Sequence, residues 1–264
     1  MPDNTSTGKI DQSPTLVRVG IECLCGITSA FTVAPAISIV DKAIVSNASG
    51  KEKLIPCAIN GVKEMFTRPL FFIRQPAFLM IWGVYSGTYM AANSIDALCE
   101  RSNTPVAYPK FFGSAVTNVT LSVLKDKAYA RLFGVGPPRP LPKLSYGLFA
   151  TRDSMTVLAS FTLPSILGKQ LADGTGWSRH HADNVAQLLT PCMMQLLLAP
   201  LHLHGLDLYN REIATRAERI AFIKQEYFQT AMARVARIFP AFGIGGVVNK
   251  YIRKSGKDYV LDNY

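Results

Sequence analysis

The sequence predicts an all-α membrane protein, with six kinked transmembrane helices in a bundle of threefold pseudosymmetry. Three observations carry this prediction: an apolar composition, six stretches without charged residues, and a regular alternation of positive charge between those stretches. Of the 264 residues, 48% are hydrophobic and 17% are charged, against about 25% charged in a typical soluble domain. The chain is too apolar for a disordered protein, and its net charge of +10 is typical of a membrane protein with cationic loops.

Six stretches contain no Lys, Arg, Asp or Glu, and we expect a spanning helix in each. Three of them reach the roughly 17–25 residues that a bilayer requires, and the other three need a turn or two of flanking sequence. None alternates polar and apolar residues as a half-buried strand does. The stretches are 23–40, 75–95, 111–124, 154–168, 184–206 and 238–249.

The connections between these stretches alternate in charge. In chain order the five connections hold six, two, six, two and six Lys and Arg residues. Such a bias predicts that the three long connections, 41–74, 125–153 and 207–237, lie on one side of the membrane, with both termini on the other. The alternative is a soluble helical protein whose apolar helices are buried in a core.

Long and short connections repeat with the same period, so the unit is a helix, a long basic loop and a second helix. We expect three such repeats, at about 15–95, 104–168 and 184–254, in one membrane domain over 15–254. Two-helix repeats of this kind are a known route to transporters. The polar arm 1–14, which has no signal-peptide pattern, and the tail 255–264 flank the domain.

Three repeats, six spans and a long basic loop in each repeat resemble the mitochondrial carrier family. In that family the odd helices end in Pro-x-Asp/Glu-x-x-Lys/Arg, and the charges of this motif form a gate. Here Ile37 and Val40 follow Pro35, Val119 replaces the second proline, and the charges come later. The resemblance implies a carrier-like bundle whose gate and helix-kink residues are Pro35, Asp41, Lys42, Lys125, Asp126, Pro200, Asp207 and Arg211.

The resemblance also implies a substrate site on the even helices. Arginines at equivalent places in the three repeats would bind an anionic solute, because guanidinium pairs with carboxylate and phosphate. The alternative is that these arginines flank the spans and reach to the membrane surface. The substrate residues expected on this basis are Arg74, Gly147, Leu148, Arg152, Asp153 and Arg237.

The function implied by the resemblance is transport of a small anionic metabolite by alternating access, in the mitochondrial inner membrane. The alternative is a non-transporting protein that serves as a structural or assembly subunit of a mitochondrial membrane complex, which the degenerate gate motif favours. The partners implied are membrane lipid, cardiolipin among them, the anionic solute and, for the alternative, complex subunits. We expect no nucleic-acid partner.

No pattern indicates an enzyme, a cofactor or a metal site. The five cysteines are scattered, and their spacing matches neither a disulfide framework nor a zinc motif. His202 and His204 are two residues apart, so a regular helix points them in nearly opposite directions. We therefore expect no catalytic residue, no cofactor and no metal ligand.

Overall fold

The computed structural model describes residues 14–134, 140–161, 163–238, 240–241 and 245–263, and these residues contain ten helices and no strand. The all-α class predicted from the sequence is therefore confirmed. Helices α1 and α8 contain 34 and 32 residues, and α4 and α5 contain 27 each. At about 1.5 Å per residue, each of these four exceeds the roughly 30 Å of a bilayer's hydrocarbon core. The helices are α1 (Thr15–Ala48), α2 (Leu54–Thr67), α3 (Pro69–Ile73), α4 (Pro76–Ser102), α5 (Ala107–Phe133), α6 (Lys143–Phe161), α7 (Leu163–Thr175), α8 (Arg179–Asn210), α9 (Arg216–Ala236) and α10 (Gly246–Asn263).

The expected spans fall on these helices in order. Four of them coincide with α1, α4, α5 and α8, whereas the fourth span crosses from α6 into α7. The sixth span includes residues outside the described part of the chain and ends within α10. Among the described residues, α1 and α8 are the two helices that are both long and apolar enough to cross a membrane. The six-span arrangement remains a prediction.

The helices pack in a closed ring. α1 packs against α4 and α10, α4 against α5, and α5 against α6. α6 and α7 pack against α8, α8 packs against α9, and α9 returns to α1. The ring therefore follows the order of the helices along the chain and leaves room for residues of several helices to meet at its centre.

The most extensive helix contact is between α1 and α4, and Gly26 permits a close approach of the two. A Cβ atom added at Gly26 would lie 2.9 Å from the backbone nitrogen of Met90. A small residue is needed for such an approach of two helices. Trp82 of α4 donates its indole N–H to the carbonyl oxygen of Ile27 at 3.0 Å, which fixes the register of the pair.

The long helices bury several polar and charged groups and expose several large apolar ones. Buried polar residues of α1 and α8 include Arg18, Glu22, Asp41, Gln195, His202 and Asp207. Large apolar residues exposed on the same helices include Leu16, Leu24, Phe31, Leu188, Leu189, Met193 and Leu197. Water disfavours so large an exposed apolar surface, whereas lipid favours it. The structure therefore has the character of a membrane protein.

Local sequence explains where α5 ends and where α6 and α9 begin. α5 ends at Phe133 and α6 begins at Lys143, on either side of a proline-rich segment in which residues 135–139 lie outside the described part of the chain. α9 begins with a capping box: the hydroxyl of Thr215 accepts from the backbone N–H of Glu218, whose carboxylate accepts from the backbone N–H of Thr215. The sequence predicts a surface helix over 212–229; α9 continues to Ala236, and Thr230, Ala231 and Arg234 in its second half are buried.

Candidate functional site

A cavity of about 250 Å³ lies where α1, α4, α5, α6, α8 and α9 meet. This volume is slightly below the roughly 300–1,000 Å³ of pockets for drug-sized ligands, so it suits a small metabolite. The charged residues of its wall are Asp41, Lys125, Asp153, Arg234 and Arg237. Its uncharged polar residues are Tyr85, Thr88, Tyr89, Ser114, Asn118, Ser122, Thr156, Ser160 and Gln195.

A network of buried ion pairs, which we call the Asp41 network, borders this cavity. Its members are Asp41, Lys125, Asp126, Arg152, Asp153 and Arg237. One oxygen of Asp41 accepts from Lys125 Nζ and the other from Arg237 Nη1, both at 2.7 Å. Lys125 also forms an ion pair with Asp126 at 2.7 Å. The network thus connects α1 to α5 and to the residue that follows α9.

Arg152 connects the network to α6 and α8. Its Nη2 donates to Asp126 at 2.5 Å, and its Nε and Nη2 donate to the two oxygens of Asp153 at 2.9 and 2.6 Å. Its Nη1 lies 2.5 Å from Nδ1 of His202. A guanidinium group only donates, so Nδ1 of His202 is the acceptor and this histidine is neutral here.

The structure combines two sets of residues that the sequence analysis kept apart. Asp41, Lys125 and Asp126 were expected in a gate, and Arg152, Asp153 and Arg237 in a substrate site; all six belong to one network. The described contacts do not connect the third expected gate pair to this network. Asp207 pairs with Arg211 and Arg219 at the end of α8, and Lys42 donates to the side chain of Gln75.

Of the six expected substrate residues, Asp153 and Arg237 line the cavity, Arg152 lies behind Asp153, and three lie away from the wall. Arg74 is exposed just after α3, so the structure does not bring it to Arg152 and Arg237. Gly147 is exposed on α6, and Leu148 beside it is half-buried; neither lines the cavity. Pro35 and Pro200 lie inside α1 and α8, also outside the wall.

Arg234 lines the cavity but was not among the residues expected from the sequence. This residue is 2% exposed, lines the cavity, and donates from Nη2 to Oε1 of Gln195 at 2.7 Å. Its Nε and Nη1 have no hydrogen-bond partner among the described residues. Arg234 lies three residues before Arg237, which caps the end of α9, and this spacing could have identified it, because residues three apart at a helix share a face.

Cations exceed carboxylates around the cavity. Lys125, Arg152, Arg234 and Arg237 supply four positive charges, whereas Asp41, Asp126 and Asp153 supply three negative ones. The ion pairs use all three carboxylates and leave Arg234 with a neutral partner. The site therefore has one positive charge that no carboxylate compensates, and it is on Arg234.

A second set of ion pairs, the Glu22 cluster, joins α1, α4, α5 and α10. Its members are Arg18, Glu22, Asp96, Glu100, Lys110, Arg253 and Lys257. Arg253 binds Glu22 through Nε at 2.5 Å and Asp96 through Nη1 at 2.7 Å. Burial alone would lower the pKa of Arg253, but its bonds to Glu22 and Asp96 outweigh burial and raise that pKa above its ordinary value.

The cavity lies between the Asp41 network and the Glu22 cluster. Glu22 and Asp41 are 19 residues apart on α1, which is about 28 Å at the rise of a helix. On α5, the cavity residues Ser114 and Ser122 lie between Lys110 of the cluster and Lys125 of the network. Both segments between the two sets of ion pairs are the charge-free stretches identified in the sequence.

No group of three or more His, Cys, Asp and Glu residues within the described ranges could hold a metal ion. The wall of the cavity offers carboxylates, cations, hydroxyls and amides instead. Groups of this kind recognise a small polar solute by hydrogen bonds and charge.

Comparison with known proteins corrects the family resemblance. No curated protein matches the chain. The resemblance to the mitochondrial carrier family is wrong, because the family model that matches describes a different family. Alternating loop charge and paired helices are imposed by membrane topology, so unrelated transporters share them. The matching model covers residues 25–257, most of the chain, and this protein therefore belongs to the family described as "Probable citrulline exporter".

Proposed function

We propose that this protein transports a small zwitterionic amino acid, citrulline or a close relative, across a membrane through the central cavity. The observation that carries the proposal is a cavity of metabolite size whose wall presents both an uncompensated cation, Arg234, and a carboxylate, Asp153. A zwitterion offers a partner to each. The family description supports the same solute. We therefore propose an amino acid as the substrate in place of the purely anionic metabolite expected from the sequence.

Alternating access is the proposed mechanism. The Asp41 network borders one end of the cavity and the Glu22 cluster lies beyond its other end. Opening toward either side would separate one set of ion pairs while the other stays formed. Asp41, Lys125 and Asp126 are the proposed gate residues, and Pro35, Lys42, Pro200, Asp207 and Arg211 are proposed to shape the helix ends beside them.

We also propose that the membrane domain, residues 15–254, crosses the membrane six times with both termini on one side. Contacts between the three long connections support this topology. Ser49 donates to the carbonyl oxygen of Phe133 at 2.8 Å, and Asn47 bonds to Glu226. The first short connection and α10 meet instead at the Glu22 cluster. Both observations fit the positive-charge count.

The membrane and its lipids remain proposals. The mitochondrial inner membrane is the proposed location, and fractionation of cells expressing a tagged chain tests it. Cardiolipin is a proposed lipid partner, because Lys51, Lys53, Lys63 and Arg68 around α2 can attract anionic headgroups.

Transport of radiolabelled L-citrulline into proteoliposomes tests the proposed function. Vesicles that contain the purified protein and unlabelled citrulline should take up the labelled amino acid, while protein-free vesicles should not. Uptake of a small dicarboxylate such as succinate, without uptake of citrulline, would support transport of an anionic metabolite instead. Absence of uptake of any solute in a panel of amino acids and carboxylates would contradict a transport function.

The alternative, a structural or assembly subunit, has one observation in its favour. α2 and α3 expose the apolar side chains of Ile55, Ile59, Val62, Phe66 and Leu70, a surface that another subunit could cover. Native electrophoresis of solubilised membranes separates the two functions. A transporter should migrate near its own size, whereas a complex subunit should migrate with a much larger assembly and show no uptake in vesicles.

A further inference from the structure

Arg234 is a buried cation whose hydrogen-bonding capacity is largely unused. Its side chain is 2% exposed, and of its three nitrogens only Nη2 has a described partner, Gln195 at 2.7 Å. Buried guanidinium groups are normally paired with carboxylates, because a charge removed from water without a counter-charge is strongly destabilised. Arg152, which is buried beside the same cavity, has that pairing with Asp126 and Asp153.

No carboxylate of the cavity wall forms a described hydrogen bond or ion pair with Arg234. The charged groups that act on it are Arg152, Arg237, Asp153 and Asp41. Asp41 already binds Lys125 and Arg237, and Asp153 already binds Arg152. The cavity, which Arg234 lines, is therefore the place from which a counter-charge can reach it.

We propose that Arg234 binds the carboxylate of the transported solute, that Gln195 positions its guanidinium group, and that Asp153 binds the solute's ammonium group. Arg234 offers the unpartnered N–H groups of Nε and Nη1. Asp153 lines the same cavity, and each of its oxygens keeps a lone pair beyond the bond it accepts from Arg152. This inference rests on the proposed transport function and assigns the two ends of its substrate.

Gln195 is a positioning residue in this proposal. Its Oε1 accepts from Arg234, and its Nε2 donates to the hydroxyl of Thr156 at 3.5 Å. A neutral amide can hold the guanidinium group without neutralising it. The charge of Arg234 therefore stays available to an anion in the cavity, which a carboxylate at position 195 would prevent.

The test compares L-citrulline with its decarboxylated analogue, 4-ureidobutylamine, in the wild type and in Arg234→Gln. Arg216→Gln is the matched control, because Arg216 is an exposed arginine on the same helix. In detergent, citrulline should raise the unfolding temperature of the wild type and of the control more than the analogue does. In Arg234→Gln the affinity for citrulline should fall about 10- to 100-fold, the scale of a hydrogen bond to a charged group, and the analogue should bind as weakly as before.

The solute-free protein gives a second readout. Loss of an uncompensated buried charge should leave the unfolding temperature of Arg234→Gln equal to or above that of the wild type, whereas a structural role for Arg234 predicts a decrease. If Arg234→Gln does not fold, Arg234→Lys keeps the charge and should bind citrulline more weakly than the wild type.

The outcomes separate this inference from the proposed function. Wild-type transport of citrulline with an unchanged preference over the analogue in Arg234→Gln would overturn the inference and keep the function. Binding of succinate but not citrulline, lost in Arg234→Gln, would keep Arg234 as the carboxylate site and overturn the amino acid substrate. No binding of any carboxylate by the wild type would overturn both.

Discussion

Arg152 is a buried charge that is compensated by partners from several helices. Its guanidinium group contacts Asp126, Asp153 and His202, which come from three helices. Each donor meets an acceptor at hydrogen-bond distance, so the group is compensated although it is buried. Arg152 therefore holds Asp153 in place at the cavity, while the unpaired Arg234 is the group left to meet a solute.

Replacement of Arg152 by Gln should destabilise the protein by about 3–5 kcal/mol, because it leaves Asp126 and Asp153 buried with one fewer counter-charge. Denaturant unfolding in detergent micelles measures this loss. Arg179→Gln is the control: its ion pair with Asp183 is half exposed, with 50% of the Arg179 side chain accessible, and such pairs contribute under about 1 kcal/mol. Equal losses in the two variants would contradict a structural role for Arg152.

At the scale of single helices, the stability of α9 depends on the hydrogen bonds that cap its first turn. The capping box at Thr215 starts the helix that carries Arg234 to the cavity. The bonds from the backbone N–H and hydroxyl of Thr215 lower the pKa of Glu218. Since the folded pKa is lowered, this stabilisation is complete above the ordinary glutamate pKa of 4.5 and is lost as the pH falls through the folded value.

Replacement of Thr215 by Ala should therefore destabilise the protein by about 1 kcal/mol, the usual effect of losing an N-cap hydroxyl. The difference between wild type and variant should be largest at neutral pH and should shrink below pH 4.5, where protonated Glu218 no longer accepts as strongly. Unfolding free energies of the wild type and the variant, measured from neutral pH to below pH 4.5, check both the size of the difference and its change with pH. A difference that grows on acidification would contradict the capping box.

α2 exposes a continuous apolar face on one side and packs on the other. Ile55, Ile59, Val62 and Phe66 are exposed at helical spacing, while Leu54, Cys57 and Gly61 are buried. Basic residues flank this face at Lys53 and Lys63. A helix with this pattern typically lies in the plane of the membrane surface, with its apolar face in the lipid.

A spin label at position 59 should collide with oxygen more often than with a water-soluble nickel complex when the protein is in liposomes. Ile59 is 61% exposed, so its replacement by a labelled cysteine should not disturb packing. A label at position 60, where exposed Asn60 points away from the apolar face, is the control and should show the reverse preference. The same preference at both positions would contradict membrane contact by this face.

At the scale of the whole molecule, the central cavity lies between two sets of ion pairs, and its wall combines apolar residues with polar and charged ones. The Asp41 network contains residues of the long connections, and the Glu22 cluster contains residues near the ends of the chain and residues of the first short connection. The segments between them on α1 and α5 lack charge. In this arrangement the exposed apolar side chains can contact lipid, and the charged residues of the cavity wall can contact a solute.

The predicted topology can be tested by labelling single cysteines from one side of the membrane. In a variant that lacks the five native cysteines, Lys51→Cys and Ser178→Cys lie in a long and a short connection, and both positions are exposed. A membrane-impermeant maleimide added to sealed vesicles should react with one of them and, after permeabilisation, with both. Reaction of both before permeabilisation would contradict six spans.

The sequence by itself determined the helical class and the distribution of charge between connections, because apolar stretches and loop charges can be read locally. The helix ends were not determined: α1 covers Thr15–Ala48, whereas the charge-free stretch within it covers only 23–40. Arg152, Asp153 and Arg237 were expected as substrate residues through the family resemblance, and the structure places all three in the Asp41 network, whereas Arg74, expected on the same basis, is exposed. The family was not determined, because its evidence was a topological pattern that many membrane proteins share.

Only the tertiary structure decided which charges meet. Asp41 and Lys125 are far apart in the chain, and Arg237 is farther still, yet all three share one network. The same packing left Arg74 exposed and buried Arg234, although both are arginines near an apolar stretch. Burial and pairing depend on how helices from the whole chain close around one cavity, and that geometry follows from side-chain packing between helices, which local sequence does not encode.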